Sequence, residues 1–127
     1  MTLLLDTHIL LWSAILPGKL PAAARTLIDN SPEVWFSVTS IWEVAIKLST
    51  GRLDFDVDSR TLRRGLLENG WRELAVSGEH AVAVMDLPPL HKDPFDRMLL
   101  AQAHVEGLTL LTSDELVAQY PGRVQKV

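Results

Sequence analysis

Apolar positions along this chain change period repeatedly, and each change marks an element. Leu3, Leu4 and Leu5 form an unbroken apolar run, the pattern of a short strand covered on both faces. After Asp6 the spacing of Ile9, Leu10 and Trp12 is that of a helix face, closed by Pro17 and Gly18. Pro21 to Asn30 reads as a second helix, with Pro at an early position and Leu27 and Ile28 inward, and Ser31 and Pro32 break it. Val34 to Val38, VWFSV, is β-branched and aromatic and predicts a strand. Ser40 with Glu43 three residues later has the capping-box pattern, so a helix is expected from there to about Leu48, ended by Gly51. Asp58 to Asn69 predicts a helix with Leu62, Leu66 and Leu67 on one face and Arg60, Arg63 and Arg64 on the other, stopped by Gly70.

Trp71 to Val76 predicts a short strand and Ser77 to Met85 a helix carrying Ala81, Val82 and Val84. Leu87 to Leu90, LPPL, is a rigid connector. Asp93 then caps a helix with Pro94 at its first position, running to Gly107. Leu108 to Leu111 predicts a further buried strand, Thr112, Ser113 and Asp114 lie at its exit, and a short helix follows to Tyr120. Val124 to Val127 adds an edge strand. Strands alternating with helices imply right-handed crossovers, so the expected fold is α/β, a central parallel β-sheet with helices on both faces. The whole of 1–127 is expected to be a single domain, because a chain of 127 residues needs no second core.

Composition narrows the chemistry. The absence of cysteine removes disulfides, thiolate metal sites and a cysteine nucleophile, so any metal must be held by oxygen or imidazole. A formal net charge of −4 argues against broad nucleic-acid binding through phosphate neutralisation, although Lys47, Arg52, Lys92 and Arg97 are candidates for a local basic patch. The apolar start is interrupted by Asp6 and His8 and has no basic leader, so neither a signal peptide nor a membrane span is expected, and the protein is expected in the cytoplasm. There is no Gly-rich phosphate loop and no Ser-His-Asp arrangement. His8, His80, His91 and His104 show no paired zinc spacing and most are read as surface or packing residues, and Trp12, Trp35, Trp42 and Trp71 as core rather than as a base-stacking platform.

Four carboxylates remain. Asp6 and Asp114 stand where strands end, Glu43 one turn into the helix after a strand, and Asp96 in the first turn of another. Each has a purely structural explanation: Asp6 and Asp114 as N-caps, Glu43 in a box with Ser40 or paired with Lys47, Asp96 at the positive end of its helix. In a parallel α/β sheet all four also fall on one edge, the ligand-binding edge. Two carboxylates about 4 Å apart repel by about 4 kcal/mol at an effective dielectric of roughly 20, so four together need a cation. Lys47 or Arg97 would supply charge, but hard divalent ions, Mg²⁺ or Mn²⁺, suit a site of carboxylates, hydroxyls and water, with Thr7, Ser40 and Thr112 placed to orient the acids. Each hydroxyl is equally well placed to cap or to close a local turn.

At these residues the chain resembles the PIN domains, and within them the VapC-type toxins of bacterial toxin–antitoxin pairs. LLLDTH with Asp6, SVTSIWEVAIK with Glu43, HKDPFDRMLLAQA with Asp96, and LLTSDE with Thr112 and Asp114 stand in that family's order and approximate spacing, nearly end to end. The resemblance implies a compact α/β fold, an Mg²⁺- or Mn²⁺-dependent endoribonuclease, a small antitoxin that blocks the site, and a homodimer. By position, Asp6, Glu43, Asp96 and Asp114 become the catalytic and metal-binding quartet, with Thr112 in support. Asp93 is placed either to cap or to approach the metal through water. Residues 54–76 carry no motif of the family. A catalytically silent PIN fold that only binds RNA or protein is the alternative. A receiver-like module lacks its paired acids after the first strand, and a haloacid-dehalogenase-like phosphatase lacks its second Asp, since His8 stands there.

Overall fold

Leu3, Leu4 and Leu5 are all fully buried, and the reason is visible in the computed structural model, which describes residues 1–51 and 57–127. β1 (Leu3–Leu5) is the middle strand of a sheet whose order is β3-β2-β1-β4-β5, with β2 at Val34–Ser37, β3 at Arg72–Leu74, β4 at Thr109–Thr112 and β5 at Val124–Lys126. Every pairing is parallel: Leu3 lies opposite Val34 and Thr109, and Leu4 opposite Leu110. Side chains alternate across a strand. Leu3 and Leu5 therefore join Phe36 and Leu111 on one face, and Leu4 joins Leu110 and Leu74 on the other.

Helices cover both faces. α1 (Thr7–Ala14), α2 (Ala22–Asp29), α3 (Val38–Ser49) and α4 (Ser59–Glu68) bury Ile9, Leu10, Ala24, Val44, Leu62 and Leu66 against the first face. α6 (Pro94–Glu106) buries Leu99, Leu100 and Ala103 against the second, and the short α5 (Gly78–Ala83) packs on α6. α6 starts as expected: Asp93 accepts hydrogen bonds from the N–H groups of Phe95 and Asp96 at 2.8 and 3.0 Å, with Pro94 at the first position. It ends at Gly107, whose φ of +69° turns the chain into β4, a conformation costly for any residue with a Cβ. The chain runs outward from β1 through β2 to β3, then returns to β4 and β5 on the opposite side. β1 and β4 therefore flank the topological switch point, where parallel sheets bind ligands at the carboxyl ends of their strands.

Several expectations need correction. Ser40 and Glu43 do not form a capping box, because the helix begins earlier: Val38 is its first residue rather than the last of a strand, and the N-cap is Ser37, whose hydroxyl accepts from Thr39 N–H at 2.9 Å. Ser37 also donates to Gln102 Oε1 on α6 at 2.5 Å, which ties the start of α3 to α6 through a buried polar contact. The expected helix Ser77–Met85 stops at Ala83 and continues as a single tighter turn, Val84–Asp86, and the helix expected before Tyr120 is likewise one such turn, Val117–Gln119. Leu67 is exposed, so only Leu62 and Leu66 of α4 face the core. Trp12, Trp35 and Trp71 are partly buried, but Trp42 is 60% exposed and lies edge-to-face on Phe95 with ring centroids 5.2 Å apart. Arg52 and residues 54–56 of the unmatched segment lie outside the described residues.

Candidate active site

Asp6 leaves β1 at the switch point and stays buried, with 4% of its surface exposed. Its Oδ1 accepts from Ile9 N–H at 2.9 Å, so it is the N-cap of α1, and its Oδ2 accepts from the Thr112 hydroxyl at 2.5 Å. The capping role and a role in a site therefore coexist in one side chain. Thr112, at the end of β4, also accepts from Asp114 N–H at 3.0 Å, linking the exits of the two central strands. Asp114 itself is exposed and caps the following turn, accepting from Leu116 and Val117 N–H at 2.8 and 3.0 Å.

Glu43 is buried on α3 and points to α1. Thr7 donates to its Oε1 at 2.6 Å, and Lys47, one turn on, contacts its Oε2. Thr7 Oγ1 also lies 3.0 Å from Ser40 Oγ. A hydroxyl carries one proton, so with that of Thr7 given to Glu43, Ser40 is the donor in this pair. Ser40 thus supports Glu43 through Thr7 rather than by capping. Asp96, in the first turn of α6, sits 2.8 Å from His91 Nε2.

The four acids act on one another electrically. Burial pushes Asp6 up to about 6, with repulsion from Asp114 and Glu43 adding to it and the hydrogen bonds from Thr112 and Ile9 opposing it. Burial also pushes Asp96 up to about 6, against the His91 hydrogen bond and with repulsion from Asp93, Glu43 and Asp6. Two half-buried or buried carboxylates held that high, coupled to the same Glu43, form one charge cluster. Lys47 is its paired cation. Arg97, the other candidate, is turned away and spends its guanidinium on Pro88 O, Val84 O and the Tyr120 hydroxyl at 3.0, 3.2 and 3.1 Å.

The donor set fits a hard divalent ion. It is carboxylate oxygen with one imidazole alongside, and a cation would offset both the burial of charge and the added repulsion at Asp6 and Asp96. Among the described residues, however, the trio whose ligand atoms already lie within 4.8 Å of one another is His91, Asp93 and Asp96, which includes only one of the quartet. His91 is the residue that sequence reasoning passed over. Its signal was its place five residues before Asp96 in the HKDPFD block, not any periodic spacing.

An α/β domain with a parallel sheet and an acidic cluster at its switch point defines the class. The chain belongs to the PIN domain family, whose pattern matches residues 3–122. It is similar to Ribonuclease VapC22 of Mycobacterium tuberculosis (strain ATCC 25618 / H37Rv), with 28% identity over 114 residues covering 89% of this chain and 87% of that protein. Its fold matches the DNA-bound VapBC of Salmonella typhimurium with a TM-score of 0.68 at 16% identity, over 99% of this chain and 98% of that one. It also matches a toxin–antitoxin complex from Klebsiella pneumoniae with a TM-score of 0.66 at 20% identity, over 97% and 95% of the two chains.

Proposed function

We propose that this protein is a divalent-metal-dependent endoribonuclease, Mg²⁺ or Mn²⁺ being the ion, and the toxin of a toxin–antitoxin pair. The observation that carries the reading is the set of acids brought together at the switch point, where Asp6 is repelled by Asp114 and Glu43, and Asp96 by Glu43 and Asp6. The similarity to a named VapC ribonuclease supports the substrate class, and the folds of VapBC complexes support a small antitoxin partner. Asp6, Asp96 and Asp114 would hold the ion, with Glu43 completing the acidic set. An ion there would supply a nucleophile at neutral pH and offset negative charge on the phosphoryl oxygens.

The chain's own groups do the rest. Glu43, fixed by Thr7 on one oxygen and by Lys47 on the other, orients the attacking water and accepts its proton. Thr112 holds Asp6 in the one rotamer that also caps α1, so the carboxylate is preorganised before substrate arrives. The like charge of the cluster keeps RNA phosphate out unless a cation is present, which makes cleavage conditional on metal.

Purified, antitoxin-free protein is expected to cleave a pool of cellular RNA with Mg²⁺ or Mn²⁺ and not with EDTA. Equal cleavage in EDTA overturns the metal-dependent reading. Native purification is expected to bring down a small companion whose basic side chain enters the acidic cluster, as charge complementarity requires. A free, active protein with no companion removes the toxin assignment. A catalytically silent binding fold predicts RNA retention with no new ends under any metal.

We also propose a homodimer. Trp42 and Val76 are exposed and border a groove of about 600 Å³ with Thr39, Ala81, Val84 and Met98. An apolar face of this kind is what a second copy would cover. Light scattering should give twice the chain mass for wild type and a single chain mass for the double variant Trp42→Ser, Val76→Asp.

A further inference from the structure

His91 lies on the irregular connector between α5 and α6, where no helix or strand period fixes a side chain. Its position is set instead by a clamp on its backbone. His91 N–H donates to the Tyr120 hydroxyl at 2.8 Å, and that hydroxyl is 3.3 Å from His91 O. Tyr120 is buried, and its oxygen receives Arg97 at 3.1 Å, while the same guanidinium holds Pro88 O and Val84 O. Both peptide groups of one connector residue are therefore tied to the core through a tyrosine and an arginine. α6 supplies both Asp96 and, in the next position, the Arg97 that braces the partner of Asp96.

A surface ion pair formed by chance is worth little and needs no such bracing. Here the two side chains are 17% and 19% exposed, and the imidazole meets Asp96 through Nε2 at 2.8 Å. We propose that His91 is a positioning residue for Asp96: its Nε2–H occupies Oδ2 and leaves Oδ1 as the oxygen offered to the cation. This rests on the metal-site reading above. A ligating carboxylate whose second oxygen is hydrogen-bonded keeps one rotamer, and such supporting partners change metal affinity by roughly 10–100-fold when removed.

Isothermal titration of Mn²⁺ into the full-length protein tests it. His91→Ala is expected to weaken Mn²⁺ binding at least about tenfold. His91→Gln is expected to recover most of the loss, because its amide nitrogen reaches the place of the imidazole Nε2 and still donates. A merely structural contact would not be rescued in this way. Unchanged affinity in His91→Ala overturns the proposal, as does a His91→Gln as weak as His91→Ala. A wild type that takes up no Mn²⁺ overturns the metal site and this proposal together, a result distinct from a wild type and His91→Ala that bind equally. Folded wild type gives a second, mutation-free reading: long-range ¹H–¹⁵N correlation at mildly alkaline pH should show His91 protonated at Nε2. A proton on Nδ1 with Nε2 bare overturns it.

Discussion

Asp96→Asn is expected to lose metal-dependent RNA cleavage by about 10³-fold while raising the melting temperature of the metal-free protein. The activity loss follows from removing one charge of the set that holds the cation, a contribution of several kcal/mol to the transition state, and about 4 kcal/mol is a factor of 10³. The stability gain follows from the sign of the electrostatics. Asp96 is pushed up by burial and by Asp93, Glu43 and Asp6, so its charge is unfavourable in the empty fold. Asn keeps an acceptor for His91 and drops the charge, although the hydrogen bond it accepts is weaker than the carboxylate's. The cap of α6 is untouched, because Asp93 provides it. Wild type should gain about 1.4 kcal/mol from Mn²⁺ at ten times Kd, roughly 3–6 °C in a domain of this size, and the variant should lose most of that gain. If Asp96 served only the positive end of α6, the variant would melt modestly lower without metal and neither protein would respond to Mn²⁺ beyond matched ionic strength.

Long-range pairing decided which parts of this fold were legible. Leu3–Leu5 announced itself because burial on both faces demands an unbroken apolar run, and Asp93–Pro94 announced α6 because cap and first-turn residues are chosen by local backbone chemistry. Ser37 and Ser40 were a different problem. Both suit an N-cap, and the register of β2 against β3, which ends at Ser37 opposite Leu74, decides between them. With the helix starting at Val38, Ser40 turns inward to Thr7, a contact between residues 33 apart that no local pattern encodes.

The placement of the four acids was readable for a related reason. Each acid stands at a strand exit or in the first turns of a helix, so its place on one edge follows from topology alone. The structure adds the long-range contacts: the Thr112 hydrogen bond to Asp6, the Thr7 hydrogen bond to Glu43 and the Tyr120 clamp on His91 all join distant segments, whereas the Lys47 pair is local to α3. Trp42 was misjudged on size. A large aromatic is usually buried, yet here it faces outward between Phe95 and the apolar groove, where the proposed second copy would cover it.

Metal-free wild type is expected to become less stable as pH rises from about 5 to about 7.5, the reverse of the usual behaviour of paired carboxylates. Asp6 carries the argument. Its carboxyl is held at about 6 in the folded protein, against 3.8 as its ordinary value. Between those values the native state keeps a proton that the unfolded chain has released, so stability falls with rising pH across that window and the full cost stands above it. The difference of roughly two units corresponds to about 3 kcal/mol in all, of which about half falls between pH 5 and 7.5. Asp96 adds in the same direction. Asp58 and Glu73, whose carboxyls are held below their ordinary values, remain ionised throughout and do not contribute to the slope. Thermal melts in EDTA should therefore show a fall of roughly 5 °C between the two pH values. Asp6→Asn should flatten much of that fall, since Asn still caps Ile9 N–H and carries no charge. Saturating Mn²⁺ should reverse the slope in wild type, because the ion binds the ionised form and competes with the proton. Parallel pH profiles for wild type and Asp6→Asn in EDTA would show that Asp6 is a cap and nothing more.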